Sequence, residues 1–328
     1  MEVRFFDPGK GYLKIKPEID EAIHRVLENG DLILREDVEQ FEENLSRFVG
    51  TEYAIALNSG TDAIYLALKG AGLERQEVAV PSHTFKSTCG AVINAGGKPE
   101  LYDKDELFFG TEFYITAHIA GEIYLVPNDE RIVIEDSAQA LGAIKDPQSI
   151  AQTWSFYPAK ILGAYGDAGA ITTNSVEVYE YVKEARNHFK KYNSQFGINS
   201  RMDNIQAAVL NVKFKYLLEF LARRAEIAEM YRNLKGVKLP NYGVGRVWQD
   251  FIIRTLKRDE LFFYLKEKGI ETLKNEYPFT PDYPKLPITA KYEAETLRLP
   301  CNPDLTNEEI EYVIYTINQW SETFVLAV

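Results

Sequence analysis

From Tyr53 onward, short apolar runs alternate with helical stretches, and this rhythm constrains the fold more than any other feature of the chain. The runs Tyr53–Leu57, Val78–Val80, Pro99–Tyr102, Tyr114–Ala117, Ile132–Glu135 and Ala170–Thr173 read as strands. Helices fit between several of them, at Asp62–Lys69, Thr84–Asn94 and Val176–Lys190. Strands that are apolar along their whole length belong inside a sheet covered on both faces, and their alternation with helices makes that sheet mostly parallel. The expected class is therefore α/β.

The flanks differ. Before the first strand, Pro17–Asn29 places Ile19, Ala22, Ile23, Val26 and Leu27 on one helical face, with Gly30 as a stop. Asp37–Val49 repeats the pattern and ends at Gly50. A long helical stretch from about Asn204 to Leu234 could join two domains. After it come a strand-like run at Val247–Thr255, a helix at Arg258–Lys268 and a closing helix opened by the capping box Thr306-Asn307-Glu308-Glu309. With 328 residues, the chain suits a large domain over 1–215 and a small C-terminal α+β domain over 216–328. The proline-rich piece from Tyr277 to Pro287 reads as a surface loop, placed over an active site.

Bulk properties exclude several roles. The net charge of −12 argues against a nucleic-acid partner. No apolar run reaches the roughly 18 residues of a membrane span, and the N-terminus lacks a secretory core, so a cytoplasmic location is expected. Cys89 and Cys301 stand far apart and share no metal-ligand spacing with the four histidines; no metal site is expected.

Four segments carry chemistry. Asn58-Ser59-Gly60-Thr61-Asp62-Ala63 follows a strand and opens a helix, where free amides and the helix dipole can cradle a phosphate; an ordinary capped helix start has the same residues. Pro81-Ser82-His83-Thr84-Phe85 puts an aromatic ring at another strand end, where it can stack on a flat ligand or simply join the core. Glu135-Asp136-Ser137-Ala138-Gln139 ends an apolar strand in two carboxylates at the edge where open α/β sheets bind ligands. Ser155-Phe156-Tyr157-Pro158-Ala159-Lys160 sets a lysine between an aromatic run and the glycine-rich Gly163–Gly169. Most lysines are solvated surface residues. Partial burial would lower the pKa of this one and make its amine nucleophilic.

Together these segments resemble the DegT/StrS family of aminotransferases dependent on pyridoxal 5'-phosphate (PLP). The resemblance continues through Gly197–Asp203, Gln206-Ala207-Ala208 and Leu299-Pro300, and so covers nearly the whole chain. It implies a fold-type-I transferase: a large domain with a mostly parallel mixed sheet, a small C-terminal domain, and a homodimer with shared active sites. By the same resemblance, Lys160 is the Schiff-base lysine and a catalytic residue, and Asp136 is the catalytic partner of the pyridine nitrogen. Gln139 lies beside the phenolic oxygen. Gly60, Thr61 and Ser155 hold the phosphate, Phe85 stacks on the ring, and Asn199 reaches the phosphate from the neighbouring subunit. The implied substrates are a keto-sugar linked to a nucleotide and, as amino donor, L-glutamate.

This sequence also departs from the family pattern. Leu101–His118 and His118–Ile132 are short, so a helix or two should be trimmed. Ala159 and Ala168 replace usual glycines. Leu34-Arg35 stands where many members have a glycine, and no histidine precedes Tyr277-Pro278. Other readings are a sugar dehydratase of the same fold, whose anchoring lysine is replaced by histidine, and a non-catalytic PLP-binding regulator. A Rossmann dehydrogenase would need a Gly-x-Gly-x-x-Gly after a strand, and none is present.

Overall fold

The computed structural model describes residues 1–104, 106, 110–124, 126, 130–143, 149–191, 195–274 and 283–325. Its main sheet has seven strands: β1 (Tyr53–Leu57), β2 (Glu77–Pro81), β3 (Lys98–Tyr102), β4 (Phe113–Ala117), β5 (Ile132–Asp136), β6 (Ala151–Ser155) and β7 (Gly169–Thr173). They lie in the order β1-β7-β6-β5-β4-β2-β3. Only β7 runs against its neighbours; every other pairing is parallel. The expected α/β class and mostly parallel mixed sheet are found.

Strand side chains alternate between two cores, as the period of two requires. Ile55 and Leu57 of β1 pack with Ile64, Leu66, Val80, Ile115, Ile134 and Ile171 on one face. That face is covered by α4 (Gly60–Gly70), α5 (Lys86–Asn94) and α6 (Val176–Ala185). Ala54 and Ala56 point the other way, into a core with Phe41, Leu45, Trp154, Phe156 and Leu210. Here the cover comes from α3 (Glu36–Val49) and α7 (Asn204–Phe214). Two further helices precede α3: α1 (Pro8–Lys14), which periodicity missed, and α2 (Lys16–Asn29). On α2, Ile19, Ala22 and Val26 are buried as expected, whereas Leu27 is exposed.

Several expectations need correction. β6 was not foreseen, because Gln152 and Thr153 break its apolar character. Both are buried, and Thr153 donates to the Glu135 carbonyl of β5 at 3.1 Å. The helix expected over Val176–Lys190 stops at Ala185, whose carbonyl is taken by the Ile198 amide, and His188 and Phe189 then adopt positive φ. The stretch from Asn204 to Leu234 is two helices: α7 closes at Phe214 and α8 spans Leu217–Met230. Among the described residues, no helix lies between β3 and β4, and only a 3₁₀ turn at Ile119–Gly121 lies between β4 and β5, in keeping with the shortened connections.

The C-terminal part forms a three-stranded antiparallel sheet of β8 (Phe251–Arg254), β9 (Leu273–Lys274) and β10 (Thr296–Leu299), in the order β8-β10-β9. It packs with α8, α9 (Arg258–Glu267) and α11 (Asn307–Val325) around Tyr231, Phe251, Leu297, Leu299, Val313 and Ile317. The capping box is complete: the Glu309 amide donates to Thr306 Oγ1 and the Thr306 amide to Glu309 Oε2. Part of the proline-rich piece, 275–282, lies outside the described residues. Its last proline, Pro287, is not loop but the first residue of α10 (Pro287–Glu295), a position where a missing N–H costs nothing. The α10 amides of Ile288 and Thr289 donate to Asp103 beyond β3, which caps this helix from the large sheet. No helix of the described residues is long and apolar enough to cross a membrane.

Candidate active site

Strand register builds the site. Leu57 of β1 lies opposite Gly169 of β7, and Gly169 opposite Ser155 of β6, so three strand ends are level. The turn after β1 therefore sits directly over Gly169, where a Cβ would stand 2.2 Å from the Ser59 carbonyl carbon. Gly60 opens α4 against Ser155; a Cβ there would lie 2.8 Å from Ser155 Cβ. Ser59 caps α4, its Oγ accepting from the Asp62 amide at 3.1 Å. The amides of the first turn point out of the helix end, which gives an anion cradle with Ser155 on its far side.

Asp136 ends β5. It is buried, accepting from the Thr88 hydroxyl of α5 at 2.7 Å and from the Ala138 amide at 3.3 Å. Thr88 in turn contacts Thr84 Oγ1 at 2.8 Å, so the carboxylate is held by a short hydroxyl chain. Gln139 follows in the next turn, and its Oε1 accepts from the Ala120 amide at 2.7 Å. That contact orients the side-chain amide and leaves Nε2 to carry the donors.

Lys160 stands in a tight turn after β6. Its amide donates to the Tyr157 carbonyl, and the Ala164 amide returns to the Phe156 carbonyl. Gly163 is required here, because a Cβ would meet the Pro158 carbonyl oxygen at 2.1 Å. The loop is clamped from the small sheet. Gln249, just before β8, accepts from the Ile161 amide at 3.0 Å and donates to the Ala159 carbonyl at 2.9 Å. Loss of water lowers the pKa of the Lys160 amine; Asp136 and Asp250 oppose that shift and Arg298 reinforces it.

These groups share one cavity of about 540 Å³, within the roughly 300–1,000 Å³ usual for small-molecule sites. Gly60, Thr61, Asp136, Gln139, Ser155 and Lys160 all line it. Phe85, the residue before α5, is 56% exposed and presents its ring to the same space rather than joining the core. Asn199 does not line this cavity. It is exposed and bridges Asn187; the family resemblance assigns it to the site of a neighbouring subunit. Arg35 lies outside the cavity too, exposed and 3.3 Å from Asp31. Leu34 beside it has φ 49°, a conformation that glycine adopts more readily than leucine.

Some lining residues escaped sequence reasoning. His118 follows β4, buried, with Nδ1 accepting from the Tyr124 amide at 3.1 Å and Nε2 against Glu135 at 2.9 Å. Since a backbone amide can only donate, Nε2 carries the proton and donates to Glu135. Its position one residue past a strand end was the available signal. Gln249, Asp250 and Arg298 had none, since they reach the site through the small sheet. His83, by contrast, belongs elsewhere: it is buried against Glu293 of α10 at 3.1 Å and does not touch this cavity. Cys89 and Cys301 are both buried, and no cluster of metal-ligating side chains exists among the described residues.

Comparison with known proteins agrees with this geometry. The model of the DegT/DnrJ/EryC1/StrS aminotransferase family matches residues 13–121 and 124–318. A "Pleiotropic regulatory protein" of Geobacillus stearothermophilus is 33% identical, the alignment covering 99% of this chain and all of that one. A dTDP-3-amino-3,4,6-trideoxy-alpha-D-glucose transaminase of Streptomyces venezuelae is also 33% identical, with 98% of this chain and 96% of that one covered. Among solved structures, S. venezuelae DesV in complex with a ketimine intermediate superposes with a TM-score of 0.90 at 31% identity, covering 98% of this chain and 99% of that one.

Proposed function

This chain belongs to the DegT/DnrJ/EryC1/StrS aminotransferase family, and we propose that it holds pyridoxal 5'-phosphate at Lys160 and passes an amino group from L-glutamate to a keto-sugar linked to a nucleotide. The observation that carries this reading is the meeting of Lys160, Asp136, Gln139 and the Gly60–Thr61 cradle in one cavity.

The residues fit the cofactor. The cradle at the head of α4 suits a phosphate, with Ser155 adding a hydroxyl. Phe85 offers a face for a flat ring, and Gln139 a donor for the phenolic oxygen. Asp136, buried and fixed by Thr88, would keep a proton on a ring nitrogen placed beside it, because a cation beside a buried carboxylate is stabilised in its charged form. When bound, the cofactor supplies an electron sink for the carbon that bears the amine. The protein's own contribution is proton movement and positioning. The Lys160 amine, with its pKa lowered by burial, spends more of its time neutral and accepts a proton from the donor's α-carbon. It would then hand that proton to the carbon on the far side of the substrate's nitrogen, and Gln249 keeps its reach fixed from both neighbours in the loop.

We read residues 1–215 as the cofactor-binding domain and 216–328 as the smaller domain that closes over it, in a cytoplasmic homodimer whose Asn199 completes the site of the neighbouring subunit. Trimmed connections around β4 and the Leu34-Arg35 step leave the cofactor groups intact and bear on which sugar is accepted.

The test is the visible absorbance of the purified protein with added PLP, before and after L-glutamate. A band that forms, bleaches with glutamate and returns with a keto-sugar nucleotide supports the reading. A band that forms and persists indicates another donor or a regulatory role like that in the Geobacillus relative's name. Lys160→Ala should form no band; if it does, the anchor lies elsewhere.

A further inference from the structure

The small sheet supplies part of the wall of the Lys160 cavity, and it carries an arginine that the reading above leaves unused. On β10, Leu297 and Leu299 are fully buried in the C-terminal core. Strand alternation turns Arg298, between them, to the opposite face, and there it lines the Lys160 cavity. Arg298 lies across from Ile252 of β8, so Asp250, two residues earlier, shares its face. The two meet, Arg298 Nη2 donating to Asp250 Oδ2 at 2.5 Å. Their side chains are only 17% and 4% exposed. The guanidinium also lies 5.5 Å from the centre of the Phe5 ring.

Holding a cation this deep is costly unless it is paired, and Asp250 meets that cost. A merely structural pair would not need to face a ligand cavity, yet both residues line it beside Lys160. Among the described residues of that cavity wall, Arg298 is the one arginine. Its planar fork of N–H donors matches a carboxylate in two parallel hydrogen bonds, and Asp250 fixes the plane of the fork. An amino acid carries its amine and its carboxylate on one carbon, so an amine processed at Lys160 sets a carboxylate close by, within the cavity that Arg298 lines.

We propose that Arg298, oriented by Asp250, forms the carboxylate subsite of this active site. The inference rests on the aminotransferase reading and names the group that recognises one of its substrates. A carboxylate can come from the amino donor or from an acidic keto-sugar, and the two sources are separable.

The experiment is calorimetric titration of the PLP-loaded protein with glutarate, a dicarboxylate that carries no amine, for the wild type, Arg298→Gln and Arg298→Lys. Glutarate binding should weaken roughly 10- to 100-fold in Arg298→Gln and less in Arg298→Lys, with the PLP band intact in all three. Equal binding by wild type and Arg298→Gln, or no binding by the wild type, overturns the subsite. Absence of a PLP band in the wild type overturns the cofactor reading instead. The titration then runs on the protein alone, where the same comparison of variants decides on the subsite. Single turnovers identify the source. If the donor's carboxylate is read, Arg298→Gln slows L-glutamate and loses the wild type's preference for it over L-isoglutamine, whose α-carboxylate is an amide. If the acceptor's is read, donor turnover is unchanged and the loss is confined to a keto-sugar nucleotide bearing a uronate.

Discussion

Gln249→Leu is the sharpest probe of how the small sheet serves the lysine loop. The substitution keeps the size of the side chain and removes both hydrogen bonds that bracket Lys160, at 3.0 Å to the Ile161 amide and 2.9 Å to the Ala159 carbonyl. Gln249 is buried, so water does not readily replace it. A buried hydrogen bond is worth about 1 kcal/mol net, and an amide or carbonyl left without a partner costs about 1–3 kcal/mol. Two such groups give an expected loss of about 2–6 kcal/mol, measured from urea unfolding of the PLP-loaded protein. Function should suffer separately, because a lysine displaced by about 1 Å can lose on the order of 100-fold in rate. Single-turnover bleaching of the PLP band by L-glutamate measures that loss. Gln249→Glu should fall between, since it retains an acceptor for Ile161 N–H but sets a carboxylate oxygen against the Ala159 carbonyl. A Gln249→Leu protein within about 0.5 kcal/mol of wild type, with unchanged turnover, would refute the clamp.

Asp136→Asn should reduce turnover by roughly 100- to 1,000-fold while the protein still folds, and Thr88→Val, which removes the hydroxyl at 2.7 Å from Asp136, should give a smaller loss of the same kind; steady-state rates on both variants check this. Gly60→Ala forces a Cβ to within 2.8 Å of Ser155 Cβ and should lower PLP affinity and cost about 1–3 kcal/mol in stability, read by band titration and unfolding midpoint. Burial pushes the His83 imidazole down to about 3, with Lys104 and Lys285 adding to the effect. The native state therefore stays unprotonated while the unfolded chain takes up a proton below its pKa of about 6.5. The stability this provides is full above pH 6.5 and is lost as pH falls toward 3. His83→Gln should flatten the stability-versus-pH slope in that window by up to about 1.4 kcal/mol per pH unit; an unchanged slope would show that His83 titrates normally.

How far the sequence could be read depends on the range of the contacts involved. Ile132–Asp136 announces itself because a central parallel strand is apolar throughout and its polar terminus must lie at the sheet edge, which made Asp136 legible; the Gly60–Thr61 turn stood out by following an apolar run and opening a helix, and Lys160 only by its aromatic and glycine-rich neighbours. β6 was not, since the polar contacts of Gln152 and Thr153, to Thr172 and Glu135, are made to neighbouring strands distant in sequence. Phe85 was ambiguous in sequence, and exposure to the cavity resolved it. The harder case is the wall formed by Gln249, Asp250 and Arg298. No local pattern marks a glutamine-aspartate pair before one strand and an arginine in another. Their convergence follows from the register of Leu299 on Phe251, which joins segments 48 residues apart. The three residues thus divide two tasks that local sequence cannot reveal: Gln249 positions the lysine from behind, and Asp250 presents Arg298 from in front. A change in the β8–β10 register by one residue would turn Arg298 into the C-terminal core and Leu299 toward the lysine, so the pairing of the small sheet and the chemistry of the cavity are under one constraint.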